Sequence, residues 1–233
     1  MSSVETSRRP TPSATQKKPR KHRLFSNFCY DFVYITGALP MLVWLRPKMH
    51  YPDGKPHKRG ALLALANHTT FIDPILVQLA FPFRRMNTIA TKDLYTTPLR
   101  EKFFNMMHCI KIDKENFSMT SFHDVVERLD DGKMVVIFPE GTVHVGSKDQ
   151  ILAFKSGVVL MAHKSGAPVV PMYVAPRAKW YSRQHIVMGQ PIDVREMLGR
   201  IPTVDKLASV SDTLRAKELE LRAYYDSLGN TAE

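Results

Sequence analysis

Two short stretches of this chain carry residue types that could do chemistry. The first is Asn67-His68-Thr69-Thr70-Phe71-Ile72-Asp73. A histidine near a carboxylate can act as a general base at neutral pH, because the acid fixes the imidazole tautomer and stabilises the cation that forms. The plainer reading has Asp73 capping a helix and His68 as a satisfied surface side chain. Alone, the pattern is one that chance supplies in roughly a few per cent of chains this long. The second stretch is Phe138-Pro139-Glu140-Gly141-Thr142. Pro139 cannot continue a sheet ladder and Gly141 permits a turn closed to other residues, so Glu140 and Thr142 are presented at a strand end. The plainer reading there is a strand-terminating turn with a polar tip.

The elements around these stretches follow from short apolar runs that alternate with helical periodicity. Strands are predicted over 61–66, 87–91, 109–112, 133–138, 168–174 and 184–188. Helices are predicted over 73–81, 98–108, 118–129, 155–165 and 206–228. His68 then follows the first strand directly, and Asp73 opens the next helix with Pro74 at a permitted first-turn position. Strand and helix alternating over short connections imply an α/β domain around a mixed, largely parallel sheet flanked by helices.

Before that domain lie two unlike segments. Residues 1–25 hold seven basic groups and one acidic group, a net +6, and the other 208 residues carry +5 of the total +11. Such an excess suits nucleic acid, anionic lipid or a phosphorylated substrate and does not choose among them. Residues 1–23 read as a basic disordered arm and lack the small-residue cleavage site of a secretory signal. Residues 24–47 read as a membrane-interface helical segment. Phe32–Leu45 has no charge, Gly37 and Pro40 are expected to bend it, and Tyr34 and Trp44 suit the headgroup level. A buried core helix and a full span are the alternatives. Residues 48–233 are then one catalytic domain, opened by a polar linker over 48–60.

Cys29 and Cys109 are the only cysteines, which gives no disulfide framework and implies a reducing compartment. Cys109 is expected to be a buried core residue. The histidines form no spaced metal set, and no metal is expected.

With both motifs in view, the chain resembles the 1-acyl-sn-glycerol-3-phosphate acyltransferases of the phospholipid and glycerol acyltransferase superfamily. Asn67, His68 and Asp73 match that family's Asn-His-x4-Asp motif, and Phe138, Pro139, Glu140, Gly141 and Thr142 match its Phe-Pro-Glu-Gly-Thr motif. Ile112-Asp113-Lys114 stands where the family usually has Ile-Asp-Arg. Val169-Val170-Pro171-Met172-Tyr173-Val174 matches its apolar run around a proline, and Phe154-Lys155-Ser156-Gly157 its Phe-Lys-x-Gly. The resemblance covers about residues 24–190.

It implies a glycerol-3-phosphate acyltransferase-like fold behind a helical membrane anchor. It also implies transfer of a fatty acyl group from acyl-CoA or acyl-carrier protein to the sn-2 hydroxyl of 1-acylglycerol 3-phosphate, giving phosphatidic acid. His68 and Asp73 are the implied base pair, and no cofactor beyond the thioester co-substrate is implied. Lys111, Lys114 and Lys155 are candidate phosphate contacts, and Glu140, Gly141 and Thr142 candidate substrate contacts. Asn67, Phe138, Pro139 and Pro171 complete the motifs. The expected partners are a phospholipid surface at the cytoplasmic face, lysophosphatidic acid and the acyl donor, without nucleic acid. Lysine lacks the bidentate fork of arginine, so Lys114 keeps other acceptors open: another lysophospholipid, a lyso-ornithine lipid or glycerol 3-phosphate. A non-enzymatic protein binding anionic membrane or nucleic acid through its basic arm would leave the four motifs unexplained.

Overall fold

The computed structural model describes residues 20–57, 59–113, 118–139, 156–177 and 179–229. The strands are β1 (Lys48–His50), β2 (Leu62–Ala66), β3 (Met86–Thr91), β4 (Ile110–Ile112), β5 (Met134–Ile137), β6 (Val169–Val174) and β7 (His185–Met188). The helices are α1 (Arg20–Leu45), α2 (Asp73–Ala80), α3 (Pro98–Met106), α4 (Met119–Asp130), α5 (Ser156–Ser165), α6 (Val194–Leu198) and α7 (Val204–Ser227). One sheet runs in the order β1-β7-β6-β2-β5-β3-β4. Strands β2 to β6 are parallel to one another; β7 is antiparallel to β6, and β1 is parallel to β7.

Central parallel strands are covered on both faces and so read as unbroken apolar runs. Every residue of β2, β5 and β6 is buried. The side-chain period of two sorts them: Leu63, Leu65, Val135, Ile137 and Val169 enter one core with α4, α5, α6 and α7. Leu62, Ala64, Ala66, Val136, Val170 and Met172 enter the other, covered by α2 and part of α1. Helix α4 shows the matching pattern, burying Phe122, Val125, Val126 and Leu129 behind a Ser118 cap that accepts from the Ser121 amide. Gly166 ends α5 at φ +66, a left-handed conformation that favours glycine.

Three expectations are corrected. The polar linker contains β1, a three-residue edge strand whose Lys-Met-His sequence has no β signature. It is held by β7 and by the bond from the Lys48 amide to the Gln184 carbonyl, 2.8 Å. Helix α6 was not anticipated; an Asp193 cap forms it, accepting from the Arg195 and Glu196 amides. Helix α1 begins at Arg20, inside the stretch read as a disordered arm, and includes Gly37 and Pro40 within one element. Residues 1–19 lie outside the described residues.

Helix α1 is not a core helix. Its Leu24–Leu45 portion is long and apolar enough to cross a membrane by length and composition, yet only 18% of its most apolar window is buried. One stripe docks on the domain. The Tyr30 hydroxyl, buried, accepts from the Met86 amide at 3.0 Å and donates to the Gln78 side chain. Burial pushes its pKa up to about 12, so it keeps the proton it donates. Asp31 pairs with Arg85 through two bonds, 2.9 and 2.6 Å, at an exposed position where such a pair adds at most about 1 kcal/mol. The opposite stripe, Phe25, Phe28, Phe32, Ile35, Leu42 and Val43, is exposed.

Cys109 is partly buried rather than a core residue, and burial pushes its thiol up to about 12, which keeps it protonated and unreactive. Its neighbour His108 sits at φ +57 and stacks on Tyr30, ring centroids 5.1 Å apart. Burial, helped by the charges of Arg128, Arg85 and Lys133, holds His108 down at about 4 against an ordinary 6.5. Unfolding restores the ordinary value, so the unfolded chain takes up the extra proton. The stability tied to the neutral ring is therefore whole above pH 6.5 and is lost as pH falls toward 4.

Two outcomes follow from the docking of α1 and its surroundings. Tyr30→Phe leaves the Met86 amide and the Gln78 side chain without their buried partner and should lower unfolding free energy in urea by about 1–3 kcal/mol. His108→Asn, which suits the left-handed φ but does not titrate, should flatten the decline of the urea midpoint between pH 6.5 and 4. Parallel pH curves for variant and parent would refute the second.

Candidate active site

Strands β2, β5 and β6 lie side by side and end together. Leu65 is in register with Ile137 and Ala66 with Met172, so the residues after each strand meet at one edge of the sheet. From β2 the chain passes to α2 on one face. The helix after β5, α5, packs on the other. Neighbouring parallel strands whose chains depart to opposite faces open a crevice at their carboxyl ends, and α/β proteins bind ligands there.

The first residue past β2 locks the edge. Asn67, buried, accepts from the Val174 amide (2.7 Å) and donates to the Val174 carbonyl (2.9 Å), so its side chain extends the β2–β6 ladder by one rung. That leaves His68 with little freedom. The side chain of Asp73, only 1% exposed, collects four donors: the Thr69 and Thr70 amides at 2.7 Å each, the Thr70 hydroxyl, and His68 Nδ1 at 3.0 Å. No side chain caps α2, whose N-cap position is Ile72, so Asp73 organises the preceding loop rather than the helix end. Phe138 closes the other side, stacked on the imidazole with centroids 4.3 Å apart and planes 25° apart. Pro139 is buried behind it.

The protonation pattern follows from the partners. An ionised carboxylate only accepts, so Nδ1 carries hydrogen and Nε2 carries the lone pair of the neutral ring. With one ring face on Phe138, one edge on Asp73 and 16% of its side chain exposed, the imidazole can take a proton at Nε2 from a group in the crevice and return it. Asp73 holds the ring in that tautomer and offsets the charge of the imidazolium.

The other sequence-derived residues are placed as follows. Pro171 lies in β6, and its lost N–H falls where the ladder to β7 ends, since the Gly189 amide donates to the Pro171 carbonyl at 3.0 Å. Lys111 sits on the edge strand β4, three strands from β2 or about 14 Å in strand spacing, with Nζ 4.8 Å from the Tyr95 ring centroid. Asp113, next to the Lys114 position, pairs with Lys92 at 2.7 Å. Lys114, Glu140, Gly141, Thr142 and Lys155 lie outside the described residues. Among the described residues no group of three or more His, Cys, Asp or Glu could hold a metal ion.

Sequence reasoning missed two contributors. Val174 supplies both partners of Asn67, a pairing across 107 residues that no local pattern reveals. Thr69 and Thr70 supply three of the four donors to Asp73, and their place three and four residues before an aspartate is a turn signal that could have found them.

A His–Asp pair at the carboxyl ends of a parallel sheet stands where α/β proteins place their ligand sites. The Acyltransferase family profile matches residues 46–175, more than half of the chain, and the chain belongs to that family. It is 25% identical over 198 residues to a 1-acyl-sn-glycerol-3-phosphate acyltransferase of Bacillus subtilis, covering 81% of this chain and 96% of that one. It is 31% identical over 149 residues to a probable 1-acyl-sn-glycerol-3-phosphate acyltransferase of Mycoplasma pneumoniae, covering 61% of this chain and about half (52%) of that one. The fold is that of the crystal structure of the 1-acyl-sn-glycerophosphate acyltransferase PlsC from Thermotoga maritima, with a TM-score of 0.58 at 21% identity over 88% of this chain and 85% of that one.

The Asn67 rung makes a checkable claim. Asn67→Ala removes two buried hydrogen bonds and leaves both Val174 groups unsatisfied, which should lower unfolding free energy by about 2–4 kcal/mol in urea. A loss under about 0.5 kcal/mol would mean that the rung does not hold the loop.

Proposed function

We propose that this protein transfers a fatty acyl group from an acyl thioester, acyl-CoA or acyl-carrier protein, to the sn-2 hydroxyl of 1-acylglycerol 3-phosphate, giving phosphatidic acid at the cytoplasmic face of a membrane. The observation that carries the proposal is the His68–Asp73 pair, held at the crevice with Nε2 free of the carboxylate. The names of the curated relatives support the substrate class.

On this reading His68 Nε2 takes the proton from the acceptor hydroxyl as its oxygen attacks the thioester carbonyl. The carbonyl oxygen becomes an oxyanion, met by backbone amides around Gly141. Collapse of this adduct breaks the C–S bond, and the imidazolium returns its proton to the departing thiolate. The products are the ester and the free thiol, and no protein nucleophile is acylated. The acceptor phosphate needs cations. Lys111, Lys114 and Lys155 are assigned that role. Glu140 and Thr142 meet the glycerol hydroxyls. Helix α1 lies in the membrane interface with its exposed stripe toward the acyl chains.

Lys114, standing where the family usually has arginine, favours a second reading with the same chemistry and another acceptor: a different lysophospholipid, a lyso-ornithine lipid or glycerol 3-phosphate. The test is release of free CoA from acyl-CoA by the purified protein across a panel of these acceptors. Lysophosphatidate is expected to win, and a phosphate-free acceptor in its place would favour the second reading. His68→Ala should lower turnover by at least about 100-fold while the protein stays folded, with the urea midpoint lowered only by the loss of one donor to Asp73. Full turnover by a folded variant would remove His68 from the mechanism.

A further inference from the structure

The carboxyl edge of the sheet carries a second feature that the reaction does not use. Strand β7 and its neighbour β1 run opposite to β6, so the β6–β7 connection and the end of α1 reach the same edge as His68. They are bound to each other there. Arg46 donates to the Tyr181 carbonyl at 2.7 Å, and the Gln184 amide donates to the Leu45 carbonyl at 2.8 Å. The Arg177 guanidinium lies 4.4 Å from the Trp44 ring centroid, and its Nη1 is buried without a hydrogen-bond partner among the described residues. Lys179 lies over the Tyr181 ring, and Trp180 and Tyr181 are 72% and 51% exposed.

Two properties set this patch apart. It is free of acid: positions 32–52 and 175–192 contain no Asp or Glu, although the chain has 22. It is also aromatic at the level where the exposed stripe of α1 ends, at Leu42 and Val43. Exposed tryptophan and tyrosine among arginine and lysine suit the headgroup region, where the rings bury their apolar bodies and the cations meet phosphates. Nucleic acid would be served by the charge, but would not explain why the cations continue an apolar helical stripe.

We infer that the β6–β7 connection is a second footing on an anionic lipid surface. Trp180 and Tyr181 insert at headgroup depth while Arg177 and Lys179 bind lipid phosphates, continuous with α1. The inference rests on the membrane-interface reading of α1 and deepens it. Anchoring on two elements fixes rotation about the α1 axis, so the crevice with His68 is held toward the surface instead of swinging around one helix.

The protein has two tryptophans, one on each element, which separates the two ideas. Trp44→Phe leaves Trp180 as the sole reporter, and Trp180→Phe leaves Trp44. Each full-length variant is mixed with phosphatidylcholine vesicles containing phosphatidylglycerol, with and without brominated acyl chains. Both reporters should shift to the blue and be quenched by bromine. Arg177→Gln combined with Lys179→Gln should weaken association with these vesicles by roughly tenfold at low salt, with little change on phosphatidylcholine alone. If Trp44 responds and Trp180 does not, the second footing is overturned while the α1 reading stands. If neither responds, both fall. A shift of Trp180 given equally by duplex DNA, without bromine quenching on vesicles, would mark a general polyanion site and also overturn the inference. None of these readouts depends on turnover, so a failed acyltransfer assay leaves the result intact.

Discussion

A carboxylate taken out of water is the constraint on which the rest of the site depends. Burying an ionised acid is strongly unfavourable unless its oxygens are met by donors, and Asp73 meets the requirement with two amides, a hydroxyl and an imidazole. Satisfying that one group fixes the path of Thr69 and Thr70, the orientation of His68 and the start of α2. The same bonds that relieve the buried charge therefore set the geometry of the imidazole. Asn67 on one side and Phe138 on the other close the arrangement, each from a different strand of the sheet.

This explains which parts were legible in the sequence. The apolar runs of β2, β5 and β6 are unbroken because both faces of those strands are covered, and helix α4 carries its core stripe at a clear period. Patterns of that kind are local, and they led to the sheet, its helices and the strand-end position of His68. The edge strand β1 was invisible for the opposite reason. Its three residues have no preference of their own and are ordered by β7. Helix α6, five residues long, depends on one capping aspartate. In the site, the His68–Asp73 spacing could be read directly, whereas Val174 as the partner of Asn67 could not, because nothing near either residue announces the other.

Helix α1 shows how much a composition reading leaves open. Its sequence fits a core helix, an interfacial helix and a span alike. Packing separates the first from the others: Tyr30 and Asp31 tie one stripe to the domain, while a row of aromatic and aliphatic side chains stays uncovered. The continuity through Gly37 and Pro40 is also a matter of context. Proline removes one backbone bond from the helix interior, and α1 is tied to the domain on both sides of Pro40, by Tyr30 before it and by Arg46 just past the helix end.

The rung between Asn67 and Val174 also orders events in time. Ribosomes deliver roughly 5–20 residues per second, so the 107 residues separating its two halves take about 5–20 s to emerge. Helix α1, lying earlier in the chain, is out long before β6 exists, and its uncovered stripe meets whatever apolar phase is at hand. The loop of His68 lacks this rung until β6 arrives to receive Asn67. A chain built this way has its uncovered helix out first and completes the loop that holds His68 afterwards.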